Sequence, residues 1–169
     1  MDGRAQVRED YAPDKVVSPT ASIAATFTVA QIAAVKNRFI MVGDVGSAYT
    51  PMEKPDKILH MYIDKNVAYT IIKQDISFYR KHNGGLVVRL DKAFYGCIES
   101  AKLWYNEIAG TLRSNGFTTN PRDICVFNKD VKGNQFTILV YVDDLKMTCV
   151  DKKAVLDMEQ TLQIGRAHV

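Results

Sequence analysis

Two carboxylates side by side, Asp143-Asp144, sit between the apolar runs Phe136-Thr137-Ile138-Leu139-Val140 and Leu145-Lys146-Met147-Thr148-Cys149-Val150. Like charges at that range repel and add nothing to a core, so the pair serves either turn chemistry or a bound cation. A third acid, Asp44, closes the hydrophobic run Phe39-Ile40-Met41-Val42-Gly43. If the strand ending at Asp44 lies beside the one carrying the pair, three carboxylates converge at one sheet edge. Hard oxygen ligands select Mg²⁺, which binds through a few carboxylates together with substrate phosphates. Two such ions about 4 Å apart serve in-line phosphoryl transfer, one at the attacking hydroxyl and one at the leaving group.

The elements that must deliver these acids can be read from pattern. The runs flanking Asp143-Asp144 are β-branched or apolar and too short for an ordinary helix, so they predict two strands joined by a tight turn. Phe39–Val45 predicts a buried strand ending at an acid. Before it, Ser18-Pro19 is a good helix start, and the Ala-rich run to about Val35 places Ile23, Phe27, Ala30 and Ala34 on one buried face. From Glu53 to Gly85 the pattern is weak and polar, an excursion from the core. Leu86–Leu90 predicts a short strand. Ile98, Ala101, Tyr105, Ile108 and Leu112 recur at helical spacing, and Asn115-Gly116 ends that helix with residues tolerant of positive φ. A strand at Ile124–Asn128 and a turn near Lys132-Gly133-Asn134 lead into the acidic hairpin, and a last helix starts near Asp151 and includes Leu156 and Leu162. This order predicts an α+β fold, a split βαβ sheet with helices packed on one face.

Bulk properties set the frame. With 169 residues, 47% of them hydrophobic, the chain can bury the core of one domain. Its net charge is +3, and residues 53–92 carry the same excess by themselves, too weak a bias to announce a nucleic-acid surface. Cys97, Cys125 and Cys149 lie far apart inside apolar elements and predict reduced core thiols, not a disulfide framework or a zinc site. No apolar run approaches 18 residues and no signal peptide opens the chain, so neither a membrane span nor secretion is expected.

Three blocks in order, Asp44-Val45-Gly46-Ser47-Ala48-Tyr49, Leu90-Asp91-Lys92-Ala93-Phe94-Tyr95-Gly96 running to Trp104-Tyr105, and Leu139-Val140-Tyr141-Val142-Asp143-Asp144, resemble the reverse transcriptase domain of copia-type LTR retrotransposons. Asn120-Pro121 and Asp123–Phe127 fit the same pattern, and the likeness covers roughly residues 15–162. The resemblance implies a polymerase palm with partial fingers over residues 1–163. It also implies an RNA-directed DNA polymerase using two Mg²⁺ ions, or Mn²⁺ in their place. Asp44 and Asp143 would be the principal metal ligands, with Asp144 supporting. Val45, Tyr49, Gly96 and Glu99 would line the nucleotide site, Tyr49 as the ring that excludes a 2′-hydroxyl and Gly96 as a small residue beneath the templating base. Implied partners are an RNA or DNA template-primer, deoxynucleoside triphosphates, and a parent polyprotein with integrase and RNase H; no membrane is implied. The implied location is intracellular, in a cytoplasmic virus-like particle.

The sequence departs from that pattern in places. Ile98-Glu99-Ser100-Ala101 stands where the family commonly has Lys-Gln-Ala/Ser-Pro after Tyr-Gly-Leu, so a carboxylate replaces an amide at Glu99. The basic fingers strand that grips the triphosphate would precede residue 1. Residues 164–169, Ile-Gly-Arg-Ala-His-Val, resemble the translation of a sequencing adapter in one frame and are set aside from the fold as an expected non-native tail. On these expectations the chain alone synthesises little DNA. His60 and His82 fall in the polar excursion and need no role. Competing readings are a non-catalytic RRM-like nucleic-acid-binding domain, which shares split βαβ topology and would need solvent-facing aromatics on its central strands, another palm-type enzyme such as a nucleotide cyclase, and a decayed element fragment.

Overall fold

The computed structural model describes residues 11–44, 58–74, 85–91, 94 and 96–167. A short helix, α1 (Pro13–Val16), precedes α2 (Ile23–Val35) and strand β1 (Phe39–Asp44). Next come β2 (Leu59–Ile63), α3 (Lys65–Gln74), β3 (Leu86–Leu90) and α4 (Ser100–Ser114). Strands β4 (Thr118–Thr119), β5 (Val126–Val131), β6 (Asn134–Tyr141) and β7 (Asp144–Cys149) follow, and α5 (Lys152–Ala167) closes the order.

Five strands form one antiparallel sheet in the order β1-β7-β6-β5-β4, while β2 and β3 pair as a separate antiparallel ribbon. Phe136 through Val140 on β6 are all buried, which an alternating strand cannot achieve unless both of its faces are covered. One face carries Phe127, Ile138, Leu145 and Met147 and packs beneath α4 and α5, where Leu112 and Val155 are fully buried. The other face carries Val126, Asn128, Thr137 and Leu139, and α2 lies over it, burying Val29 and Ala33. The fold is therefore α+β as expected, but helices cover both faces of the sheet, not one.

Local signals explain most boundaries. Gly116 ends α4 at φ +83°, where a side chain is strained. Lys132 and Gly133 make the β5–β6 turn at φ 54° and 76°, the paired positive values of a type I′ hairpin. Asp151 caps α5 through Oδ1, which accepts from the amides of Lys153 at 3.0 Å and Ala154 at 3.3 Å. The backbone of α5 runs helically to Ala167.

Several expectations are corrected. Helix α2 starts after Ser22, whose hydroxyl accepts from the Ala25 amide, four residues beyond Ser18. Its buried face is Val29 and Ala33, while Ile23 is 75% and Phe27 70% exposed. The run is apolar all round, so periodicity selects no face. The strand at β1 is an edge of the five-stranded sheet with Ile40 and Val42 exposed, not a fully buried strand. The 53–85 excursion contains β2 and α3, and β5 begins at Val126, two residues later than expected. All three cysteines are buried, and among the described residues they form no disulfide.

Candidate active site at the hairpin tip

Register decides what can meet at the end of the sheet. β6 and β7 pair from Thr137↔Thr148 to Tyr141↔Asp144, leaving only Val142 and Asp143 in the turn. Val142 adopts φ +53°, and Asp143 is not among the positive-φ residues. A positive φ at the first turn residue alone is the pattern of a type II′ hairpin, where glycine is the usual occupant. For a β-branched residue that conformation costs on the order of 1–2 kcal/mol. A long-range contact opposes the cost: the indole Nε1 of Trp104, buried on α4, donates to the Val142 carbonyl at 2.7 Å. Helix α4 is thereby fastened to the tip of the acidic turn.

The acids occupy distinct environments. Asp143 is partly buried, and its Oδ1 is enclosed with no hydrogen-bond partner. Asp144 is exposed at the start of β7. On its other side β7 pairs with β1, and the last rung of that ladder sets Asp44 directly across from Asp144. Directly opposed residues in an antiparallel ladder have Cα atoms roughly 4.5–5.5 Å apart. The backbone thus gathers positions 44, 143 and 144 at one sheet end.

A buried carboxylate oxygen without a donor is costly, and native proteins rarely leave one so. A hard divalent cation accepts such an oxygen as a ligand, so Asp143 fits an oxygen-coordinated metal. Among the described residues no group of three or more His, Cys, Asp or Glu is assembled as a metal site. The side chain of Asp44 lies outside the described residues, as do Val45 and Tyr49.

The two remaining site expectations fall near the start of α4. Gly96 is exposed in a turn at φ +90°, a conformation that favours glycine. Glu99 is buried at the helix entrance and lines a cleft with Asp14, Lys15 and Lys102, next to α1. That neighbourhood is lysine-bearing, which suits a carboxylate better than an amide and gives a local reason for glutamate there. The sequence alone gives Trp104 no role in holding the turn. Its signal was that the one tryptophan of the chain falls on the same helix as Tyr105 and Ile108.

A second polar cluster supports the sheet behind α4. The Tyr105 hydroxyl donates to the Ile124 carbonyl at 2.9 Å, and burial raises its pKa. Burial first, and then the Asp123 carboxylate, push the Cys125 thiol up to about 11. Asp123 is itself held below the ordinary carboxylate range. Burial acts to raise it, but donation from the amides of Ser22 at 2.9 Å and Cys125 at 3.0 Å outweighs that effect.

Comparison with known proteins identifies the class. The profile of the family described as "Reverse transcriptase (RNA-dependent DNA polymerase)" matches residues 2–165, nearly the entire chain. The chain belongs to the reverse transcriptase family. The resemblance to copia-type domains also holds. The chain is 24% identical over 150 residues, 88% of its length, to the "Retrovirus-related Pol polyprotein from transposon TNT 1-94" of Nicotiana tabacum. It spans about 10% of that polyprotein. No solved structure gives a significant match. Reverse transcriptases as a family use divalent metals, in keeping with the chemistry available to Asp143. Among the described residues no helix is long and apolar enough to cross a membrane.

Proposed function

We propose that this reverse transcriptase domain is the palm, with part of the fingers, of an RNA-directed DNA polymerase, and that Asp44, Asp143 and Asp144 are its catalytic carboxylates. The observation carrying the reading is the pairing of Asp44 with Asp144 across β1 and β7, next to a turn in which an Asp143 oxygen is buried without a donor. Asp44 and Asp143 would hold two Mg²⁺ ions, or Mn²⁺, with Asp144 supporting. When bound, the ions neutralise developing charge on the attacking and leaving oxygens of nucleotidyl transfer.

The chain's own contribution is positional. The ladder fixes the separation of the strands that bear the acids, and Trp104 holds the turn carbonyl so that Asp143 keeps its partly buried setting. Val45, Tyr49, Gly96 and Glu99 are assigned to the nucleotide site, Tyr49 under the incoming sugar and Gly96 beneath the template. Glu99, enclosed beside Lys15 and Lys102, would act on the nucleotide through the position of α4. The substrates would be a template-primer and deoxynucleoside triphosphates, and the setting a Pol polyprotein with integrase and RNase H inside a cytoplasmic particle.

An RRM-like binding domain is disfavoured by the central strands. Phe136 on β6 is buried, and the exposed Tyr141 sits at the hairpin end, so no pair of aromatics faces solvent there to stack bases. The test is primer extension by the parent polymerase carrying Asp143→Asn, paired with Mn²⁺-induced line broadening of this chain's amide resonances. Loss of extension with broadening centred on residues 141–145 supports the assignment. Undiminished turnover, or broadening elsewhere only, would refute it.

A further inference from the structure

Between α2 and the sheet face opposite α4 and α5 lies a cavity of about 320 Å³, on the far side of the sheet from the Trp104 anchor. Ala25, Val29, Ile32 and Val126 give it an apolar wall, and the guanidinium of Arg38 enters from the turn between α2 and β1. Arg38 is only 9% exposed. Its Nη1 donates to Thr137 Oγ1 at 3.3 Å and to Thr148 Oγ1 at 3.5 Å, both long, and its Nε is buried with no hydrogen-bond partner. Among the described residues no carboxylate lies within ion-pairing distance of it.

A guanidinium keeps its charge across the pH range in which proteins fold, so burial cannot be relieved by losing a proton. A charge enclosed in this way is expected to be paired. Among the described neighbours, two acceptors are engaged elsewhere. Asn128 Oδ1 accepts from Gln135 Nε2 at 2.6 Å and from the Thr137 hydroxyl at 2.9 Å. Asp123, the one acid lining the cavity, accepts from two backbone amides. Arg122 adds a second positive charge to the wall.

We infer that this cavity is a binding site for a carboxylate ligand with an apolar body, held by Arg38. With Nη1 turned to the threonines, a carboxylate seated in the cavity would face the remaining N–H groups of the guanidinium, whose planar fork matches its two oxygens. The hydrocarbon part would lie along α2, against Val29 and Ile32. The site is independent of the polymerase assignment, since none of its residues belongs to the acidic turn.

The test titrates the full 169-residue chain at constant ionic strength with benzoate, its neutral analogue benzamide, and inorganic phosphate, read by amide chemical shifts. Benzoate is expected to saturate and to bind roughly tenfold or more tightly than benzamide, as loss of a charged hydrogen-bond partner implies. Arg38→Met should abolish the difference and, without ligand, raise Tm by removing an uncompensated buried charge. Should that variant fail to fold, Ile32→Trp at the half-exposed lip closes the cavity while keeping the guanidinium, and must also remove benzoate binding. Equal binding of benzoate and benzamide, absence of benzoate binding, tighter binding of phosphate, or unaltered benzoate binding in a folded variant would each overturn the inference.

Discussion

Replacing Trp104 by Phe is the sharpest probe of how the acidic turn is held. Phenylalanine keeps most of the buried ring but deletes the N–H that donates to Val142 at 2.7 Å. A hydrogen bond of this kind contributes about 0.5–1.5 kcal/mol net, and more if the carbonyl loses access to any other donor. The smaller ring adds a packing loss, so a total of about 1–3 kcal/mol is expected. For a domain of this length each kcal/mol lowers Tm by about 2–4 °C. The stronger test is a double-mutant cycle with Val142→Gly. Glycine accepts a positive φ without steric cost, so the turn then needs less support from the indole. The Trp104→Phe penalty should shrink by about 0.5–1 kcal/mol in the Val142→Gly background, measured by urea denaturation of all four proteins. A shift below 1 °C for the single variant (roughly 0.3 kcal/mol at that scaling), or strict additivity in the cycle, would refute the idea that Trp104 stabilises a strained turn.

Other outcomes follow from the same structure. Asp143→Asn should leave apo-protein stability within about 1 kcal/mol, because the oxygen it alters makes no hydrogen bond, while abolishing any Mg²⁺-induced rise in Tm. Calorimetry with and without Mg²⁺ reads both. Asp123 has a folded pKa below its unfolded value, so its stabilisation is present above about pH 4 and is lost as acid titrates the folded carboxylate; Asp123→Asn should flatten that acid limb in pH-dependent denaturation. Cys125, with its thiol at about 11 and fully enclosed, should resist a disulfide reagent at pH 8 until the chain is unfolded, so rapid labelling of the native protein would contradict the burial. Gly116→Ala should cost about 1–2 kcal/mol through φ +83° alone, since the added methyl would meet only the Lys129 side chain at 3.6 Å.

The hairpin and the helices flanking it were readable because each carries its own local signal. Alternation breaks at Asp143-Asp144, Asn115-Gly116 ends α4, and Asp151 opens α5, all features encoded within a few residues of where they act. Helix α2 was legible as a helix but not in orientation, because Ile23, Phe27, Val29 and Ala33 offer apolar surface in every direction and only the sheet selects among them. Helix α3 and strand β2 were hidden by a polar setting, since the alternation of Leu59, Met61 and Ile63 with His60 and Tyr62 runs for only five residues and draws its pairing from β3 over twenty residues away. The candidate site divides the same way. Its acids showed as strand ends, whereas the Trp104 contact and the enclosed guanidinium of Arg38 join residues 38 and 99 positions apart and leave no local trace.

The brevity of the β6–β7 connection carries a consequence for tolerance to insertions. Side chains on a strand alternate, so a residue added between Tyr141 and Asp144 and taken into the ladder, with the two-residue turn kept, would rotate all of β7 by half a turn relative to β6. Leu145, Met147 and Cys149 would be presented to α2, and Lys146 and Thr148 to the packing layer under α4 and α5. Reading-frame-preserving gains at this spot therefore threaten the core and the acids at once.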